Sequence, residues 1–319
     1  MKSLPLVLLC LLALPPAARA GADWGKELEP AARALGAADY RGARARYLDA
    51  AGRGNPLAQF MLGLFEQNGW GRAPDPVAAC GWFEQAAQKR IPAAEHGWAG
   101  CLAQGIGRPA DVPAALAWYE KAAGDGHLIS KCDAADYYIA GRGVEKDVAK
   151  GLAMCTEIAQ ANSPPAMLKL AHWYRNGDDV PQNLAAARAW YAQAAERGIL
   201  EAQYWLGMML ARGEGGEADA VNARNWLETA ASQGYAPAYL PTAELYANAP
   251  PQPDTSALAP EDLAKVYLWT AAAKARARDD AQRARIARIE ALLNPVVPPG
   301  WRPELDRKVA AHLMRYPAP

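Results

Sequence analysis

The sequence has no excess of charge of either sign. Its 319 residues contain 34 Lys and Arg against 34 Asp and Glu. Loss of an N-terminal leader that carries Lys2 and Arg19 would leave 32 basic residues and a net charge of −2 (32 − 34). Proteins that bind nucleic acid or anionic lipid surfaces usually show a basic excess. We therefore expect neither kind of partner.

Long hydrophobic runs are missing apart from one near the N-terminus. Residues 4–14, LPLVLLCLLAL, are apolar but too few to span a bilayer. Lys2 precedes this run, and the small-residue tripeptide Ala-Arg-Ala at 18–20 follows it. This order is typical of a secretory signal peptide over residues 1–20, with cleavage before Gly21. We expect a periplasmic or secreted protein with no transmembrane segment in the mature chain.

Motifs that carry catalysis or metal binding are also missing. The four histidines, His96, His127, His172 and His312, are never at the spacing of metal ligands. The chain contains no Gly-x-Ser-x-Gly, no P-loop and no Ser-x-x-Lys. We expect no enzymatic activity, no cofactor and no bound metal.

What the sequence does contain is a repeat of 36 residues. Five repeats align without a gap, beginning at residues 56, 92, 128, 164 and 200 and ending at Tyr235. Six of the aligned places keep their residue type. The fourteenth place holds Gly69, Gly105, Gly141, Gly177 and Gly213; the twentieth holds Asp75, Asp111, Asp147, Asn183 and Asp219; the twenty-seventh holds Trp82, Trp118, Met154, Trp190 and Trp226. A fixed period of this length indicates a solenoid.

Each conserved place predicts a local structure. The first thirteen residues of a repeat are expected to form a helix A, which the glycine ends in a left-handed conformation. The Asp or Asn at the twentieth place is a good N-cap for a helix B. Small residues let the two helices approach, and aromatic residues at places 27 and 28 fill the space between repeats. The sequence therefore predicts an all-α fold, an α-solenoid of stacked antiparallel helix pairs.

The repeats resemble the Sel1-like repeat, a relative of the tetratricopeptide repeat. The stretches LGLFEQNGWGR (62–72), YYIAGRGVEKD (137–147) and ARAWYAQAA (187–195) carry the resemblance. It implies a right-handed superhelix. The expected organisation is a signal peptide (1–20), a leading helix pair (21–55), five repeats (56–235), a degenerate sixth repeat with a Pro-rich insertion (236–275) and capping helices (276–319).

Four cysteines follow the predicted leader, and an even number in an exported chain favours disulfides. Residues equidistant from the turn of an antiparallel helix pair lie opposite each other. Cys80 and Cys101 are equidistant from one such turn, and Cys132 and Cys155 from another. We predict the links Cys80–Cys101 and Cys132–Cys155, with small buried thiols as the alternative. The spacings match no zinc site.

The likeness to tetratricopeptide repeats also predicts a binding surface. In such solenoids the second, fifth, ninth and twelfth places of each helix A line a concave groove. The candidate partner-binding residues at these places are Phe60, Leu64, Gln67, His96, Asp136, Leu168, His172, Arg175, Tyr204, Met208 and Glu244. Aromatic residues, Met and Arg are enriched where proteins bind one another. The alternative is that several of them pack within the stack.

These features predict a monomeric, exported adaptor or scaffold that binds another protein in its groove. The resemblance implies two alternatives, because some exported Sel1 proteins act differently. One is an immunity protein that neutralises an antibacterial phospholipase-type toxin. The other is a scaffold for envelope polysaccharide assembly.

Overall fold

The computed structural model describes residues 24–254 and 257–317. The predicted signal peptide, residues 1–20, lies outside the described residues. Within these ranges the chain is helical and contains no strand. Consecutive helices pair with each other. The predicted all-α solenoid fold is confirmed.

The described residues form two compact units, one ending at residue 163 and the other beginning at residue 164. The described part of the first unit contains eight α-helices. They are α1 Trp24–Gly36, α2 Tyr40–Gly52, α3 Pro56–Asn68, α4 Pro76–Ala87, α5 Pro92–Gln104, α6 Val112–Gly124, α7 Ile129–Ala140 and α8 Val148–Gln160. Helices α3 to α8 are the A and B helices of repeats one to three.

The described part of the second unit contains a further eight α-helices and two short 3₁₀ segments. The helices are α9 Pro164–Asn176, α10 Leu184–Glu196, α11 Leu200–Arg212, α12 Ala220–Ser232, α13 Tyr239–Ala247, α14 Pro260–Arg276, α15 Asp280–Leu293 and α16 Arg302–Arg315. The 3₁₀ segments are Ala236–Ala238 and Pro299–Trp301. Helices α9 to α12 form repeats four and five.

The ends of the helices follow from the conserved places. Gly69 closes α3 with a φ of 64°, and its backbone N–H donates to the carbonyl of Phe65. This is the left-handed C-terminal cap that a glycine adopts without a steric penalty. At the start of each helix B, the side chain of the twentieth place accepts a hydrogen bond from the backbone N–H three residues later. These bonds join Asp75 to Ala78, Asp111 to Ala114, Asp147 to Lys150, Asn183 to Ala186 and Asp219 to Asn222.

A second glycine in the A–B turn lets successive repeats approach closely. Gly143, at place sixteen of repeat three, lies against Val112 at the start of α6 in repeat two. A Cβ atom at this position would be 2.8 Å from a side-chain carbon of Val112. Gly107 lies against Val77 in the same way. In repeats two and three the glycine at place sixteen is therefore needed for the contact between repeats as well as for the turn.

The sixth helix pair departs from the pattern. Its A segment begins with the 3₁₀ turn Ala236–Ala238 and continues as α13, a helix of 9 residues instead of 13. Its B helix, α14, begins at Pro260 and has 17 residues. Tyr239 and Trp269 stack in the core of this part of the second unit, with ring centroids 5.7 Å apart. The division into a leading pair, a sixth repeat and capping helices remains a prediction.

The two predicted cysteine pairs lie at disulfide distance. Cys80 on α4 and Cys101 on α5 have their Cα atoms 5.8 Å apart, and Cys132 on α7 and Cys155 on α8 have theirs 4.4 Å apart. The first pair joins helix B of one repeat to helix A of the next. The second joins the two helices of repeat three. All four cysteines are buried.

Among the helices that the structure describes, none has the length and the apolar character to cross a membrane.

Candidate functional site

The predicted binding residues line the helix A faces of the two compact units. In the first unit they are Phe60, Leu64, Gln67, His96 and Asp136, and in the second they are Leu168, His172, Arg175, Tyr204, Met208 and Glu244. Gln67 is exposed and the other ten are half-buried. We call the second set, together with Tyr191, Glu201 and Trp205, which contact it, the α9/α11 face.

Several of these side chains also pack inside their own repeat. Phe60, at place five of α3, lies against Phe83 of α4, with ring centroids 5.9 Å apart. His96, at place five of α5, lies against Tyr119 of α6 at 5.3 Å. In these two repeats the side chain at place five, in helix A, thus packs on the aromatic residue at place twenty-eight, in helix B. These residues contribute to the stability of the helix pair as well as to its surface.

A cluster of polar side chains surrounds His96. Ser130 Oγ is 3.1 Å from Nδ1 of His96 and 2.7 Å from Nδ1 of His127, and the two imidazole rings are 4.7 Å apart. Asp133 Oδ2 is 3.8 Å from His96 Nδ1. Because one hydroxyl has one proton, Ser130 can donate to only one of the two rings and must accept from the other. Burial, together with the neighbouring His96, lowers the pKa of His127 to about 4.

The same cluster contains the residue types of a nucleophile, a base and an acid, but its geometry does not suit catalysis. Ser130 has no exposed surface, so a substrate could not reach its hydroxyl in this conformation. Across the part of the chain that the structure describes, no group of three His, Cys, Asp or Glu side chains could hold a metal ion. The arrangement is that of a half-buried hydrogen-bond network around the buried Ser130.

An arginine stacked on a tryptophan marks the α9/α11 face. Cζ of Arg175, at the end of α9, lies 3.4 Å from the ring centroid of Trp205 on α11. Tyr191 of α10 stacks near the same indole at 6.5 Å, and Tyr204 meets it edge-on at 4.9 Å. Tyr204 in turn packs on Tyr235 at 5.7 Å. Contacts of this kind hold the rings and the guanidinium group in fixed orientations.

His172 connects helices α9, α10 and α11. Tyr191 Oη is 2.8 Å from its Nδ1, and Glu201 Oε1 is 3.1 Å from its Nε2. Burial lowers the pKa of His172; Arg175 lowers it further, and Glu201 opposes the shift. The lowered pKa favours a neutral ring at neutral pH, which accepts from the Tyr191 hydroxyl at Nδ1 and donates to Glu201 from Nε2.

The α9/α11 face ends at an ion pair. Glu244 of α13 binds Arg285 of α15 through two hydrogen bonds, one of them 2.8 Å from Arg285 Nε to Oε1. Tyr204 and Met208 pack against the hydrophobic core formed by α12 to α16. The predicted residues Arg175, His172 and Tyr204 are therefore brought together by their contacts with Tyr191 and Trp205, whereas Glu244 is occupied by its arginine.

The sequence reasoning missed several residues of these clusters. His127 and Tyr235 both stand at place thirty-six, where the other repeats have Ile91, Ser163 and Ile199. Each packs its ring on the place-five residue of the same repeat, which is His96 or Tyr204. An alignment of place thirty-six against place five would have found both, because an aromatic ring or imidazole occurs at both places in the same repeats.

Several solved structures are similar to this one. One, "Crystal structure of c5321: a protective antigen present in uropathogenic Escherichia coli strains displaying an SLR fold", has a TM-score of 0.58 at 22% identity. The match covers 86% of this chain but only 56% of the length of that one. A Sel1 repeat protein from Oxalobacter formigenes has a TM-score of 0.58 at 24% identity, over 78% of this chain and 99% of that chain.

A third similar structure is the immunity protein Pa5087 from Pseudomonas aeruginosa, at 19% identity over 75% of this chain and 91% of that one. Its TM-score of 0.46 is too low to carry an argument about function. No curated protein matches the chain.

The repeat itself identifies the family. A family model described as the Sel1 repeat matches residues 56–90, 92–127, 130–163, 164–199 and 200–235, which together make up more than half of the chain. The matched segments correspond to the five 36-residue repeats and to the helix pairs from α3 to α12. The chain belongs to the Sel1 repeat family.

Proposed function

We propose that this protein is an exported interaction scaffold that binds a protein partner on its helix A faces, chiefly on the α9/α11 face. Sel1 repeat proteins generally mediate protein–protein interaction, and their fold is typically a non-catalytic scaffold. The observation that carries the proposal is the solvent exposure of the predicted residues. None of the eleven is buried, and those of the α9/α11 face include the tyrosine, arginine and methionine that interfaces favour.

Export is the second part of the proposal. The apolar run at 4–14 and the small residues at 18–20 support it from the sequence. Two pairs of buried cysteines at disulfide distance are consistent with an oxidising compartment. The immunity and polysaccharide-assembly functions remain predictions from the family resemblance, and no contact among the described residues favours either over the scaffold.

The test compares one substitution on two faces of the second unit. Leu168→Lys puts a charge at a half-buried place on α9, and Val221→Lys puts it at an exposed valine on α12, a helix B. Tagged wild type and both variants capture proteins from an envelope extract, and mass spectrometry quantifies them. We expect a captured protein that is lost with Leu168→Lys and retained with Val221→Lys.

The opposite selectivity would move the binding surface to the helix B face. Failure of the wild type to enrich any protein would contradict the scaffold function itself. Circular dichroism melts of the two variants check that each remains folded.

A further inference from the structure

The guanidinium group of Arg175 is held in place but is not neutralised. Its Cζ lies 3.4 Å from the Trp205 ring centroid, and the side chain is half-buried. Among the residues that the structure describes, Arg175 forms no ion pair. Its buried Nη1 has no hydrogen-bond acceptor, although the guanidinium group interacts with the hydroxyl of Tyr191. Nη1 is out of reach of a ligand, but the side chain as a whole is only half-buried. A carboxylate that reaches the guanidinium group would gain binding free energy, because no carboxylate of the described residues already neutralises its charge.

Other arginines of the chain show the contrast. Arg108 also lies over an indole, with its Cζ 4.3 Å from the centroid of Trp98, but its Nη2 binds Glu84 at 3.1 Å. Arg285, near the α9/α11 face, is bound at two points by Glu244. Cation–π stacking alone therefore does not single out Arg175. What distinguishes Arg175 from these two arginines is the absence of a carboxylate partner within the described residues. Arg142 and Arg224 also lack one, but their Cζ atoms lie 5.1 and 5.6 Å from the nearest ring centroid, against 3.4 Å for Arg175.

The surroundings of Arg175 favour a carboxylate on a peptide over a sugar. Tyr191 stacks near Trp205, Arg175 lies over that indole, and Tyr204 meets it edge-on, so three protein groups already contact the indole. A pyranose ring normally needs an open aromatic face. The planar guanidinium fork instead matches the two oxygens of a carboxylate. The carboxylate on the same face, Glu201, is bound to His172.

We propose that Arg175 is the carboxylate-binding residue of the α9/α11 face, and that the partner docks there with an Asp or Glu side chain beside an apolar residue that contacts Tyr204 and Met208. This inference rests on the proposed function and names the chemistry of the partner. The half-buried tyrosine and methionine supply apolar contact area, and Arg175 fixes the position of the acidic residue.

A random twelve-residue peptide library displayed on phage provides the probe. It is selected in parallel against the wild type, Arg175→Gln and Arg108→Gln. We expect the wild type and Arg108→Gln to enrich peptides with Asp or Glu at one fixed position next to an apolar residue. Arg175→Gln should lose that acidic preference, because an amide side chain cannot replace the charged fork.

The enriched peptide is then synthesised with its acidic residue and with the matching Asn or Gln, and titrated by calorimetry. Replacing the acid should weaken binding to the wild type about 10- to 100-fold, and should change binding to Arg175→Gln little. Arg175→Lys keeps the charge without the fork and should bind the acidic peptide with intermediate affinity.

Three results would overturn the proposal. The wild type could enrich no peptide, or it could enrich peptides without an acidic position that Arg175→Gln binds equally well. Alginate oligosaccharides, added as a second probe, could bind the wild type in an Arg175-dependent way while the peptides do not. If the envelope partner is still captured and is sensitive to Leu168→Lys, only the role of Arg175 fails and the scaffold function stands. Melting curves of both Arg175 variants confirm that the fold is kept.

Discussion

At the scale of single residues, the stack contains charges that a repeat consensus would not predict. Glu95, at place four of repeat two, is fully buried and binds Lys121 at place thirty. In repeat three the same two places hold Lys131 and Glu157, with the signs exchanged and an N–O distance of 2.6 Å. The two places thus form one position for an ion pair between helix A and helix B. A buried charge is tolerated there because its partner comes from the facing helix of the same repeat.

The polar cluster around His127 should make stability depend on pH. The folded-state pKa of about 4 lies below the ordinary histidine value of about 6.5, so the unfolded chain binds more protons between these pH values. The free energy of unfolding should therefore fall as the pH falls from about 6.5 to about 4. The loss from this residue is about 3 kcal/mol at most. The His127→Gln variant should lose less free energy of unfolding than the wild type, as measured by urea denaturation at pH 7.5 and pH 4.5.

The neighbouring Leu128 provides the control for that measurement. It is exposed, and Leu128→Gln adds the same amide one residue away while keeping His127. This variant should retain the pH dependence of the wild type. Equal acid destabilisation of His127→Gln and the wild type would show that other groups account for the effect.

At the scale of helices, the sequence predicted most of what the structure shows. The glycine at place fourteen and the Asp or Asn at place twenty end and begin the helices as expected, because both act through bonds to the local backbone. The contacts of place thirty-six and the shortened α13 were not predicted. They depend on which side chains meet across helices, and periodicity within one helix does not report that.

Two helix glycines with different surroundings allow a matched prediction. A Cβ atom on Gly207 of α11 would lie 2.6 Å from Leu227 Cγ of α12, whereas one on Gly81 of α4 would meet nothing within 4 Å. Gly207→Ala should therefore lower the free energy of unfolding by about 1–3 kcal/mol through overpacking. Gly81→Ala should raise it by up to about 1 kcal/mol, because alanine is the better helix former. Urea denaturation of the two variants measures both changes.

The larger change Gly207→Leu should destabilise the protein at least as much as Gly207→Ala. If Gly207→Ala were neutral, α11 and α12 would be able to move apart without cost. The close approach would then not contribute to the stability of repeat five.

At the scale of the whole molecule, the sequence predicted the fold but not the binding partner. The repeat predicts this fold because the residues that begin and end the helices recur in every repeat. It could not predict the partner, because the side chains that form a binding face differ from repeat to repeat. Arg175 shows the difference. Its place in the repeat predicted a surface residue, but its lack of a carboxylate partner among the described residues became visible only with the neighbours Tyr191 and Trp205 in position.

Export and disulfide formation can be tested together on the intact protein. If the leader is removed as we propose, protein recovered from the periplasm should begin at Gly21, and its mass should be four hydrogens below that of the reduced chain. Peptide mapping without reduction should then find Cys80 linked to Cys101 and Cys132 linked to Cys155. Each link closes a loop of about twenty residues, and in the chain-entropy model this is worth about 3 kcal/mol. Reduction should accordingly lower the melting temperature.

An intact Met1 would contradict export by signal-peptide cleavage. Free thiols or a Cys101–Cys132 link would contradict the pairing, so the two proposals can fail separately.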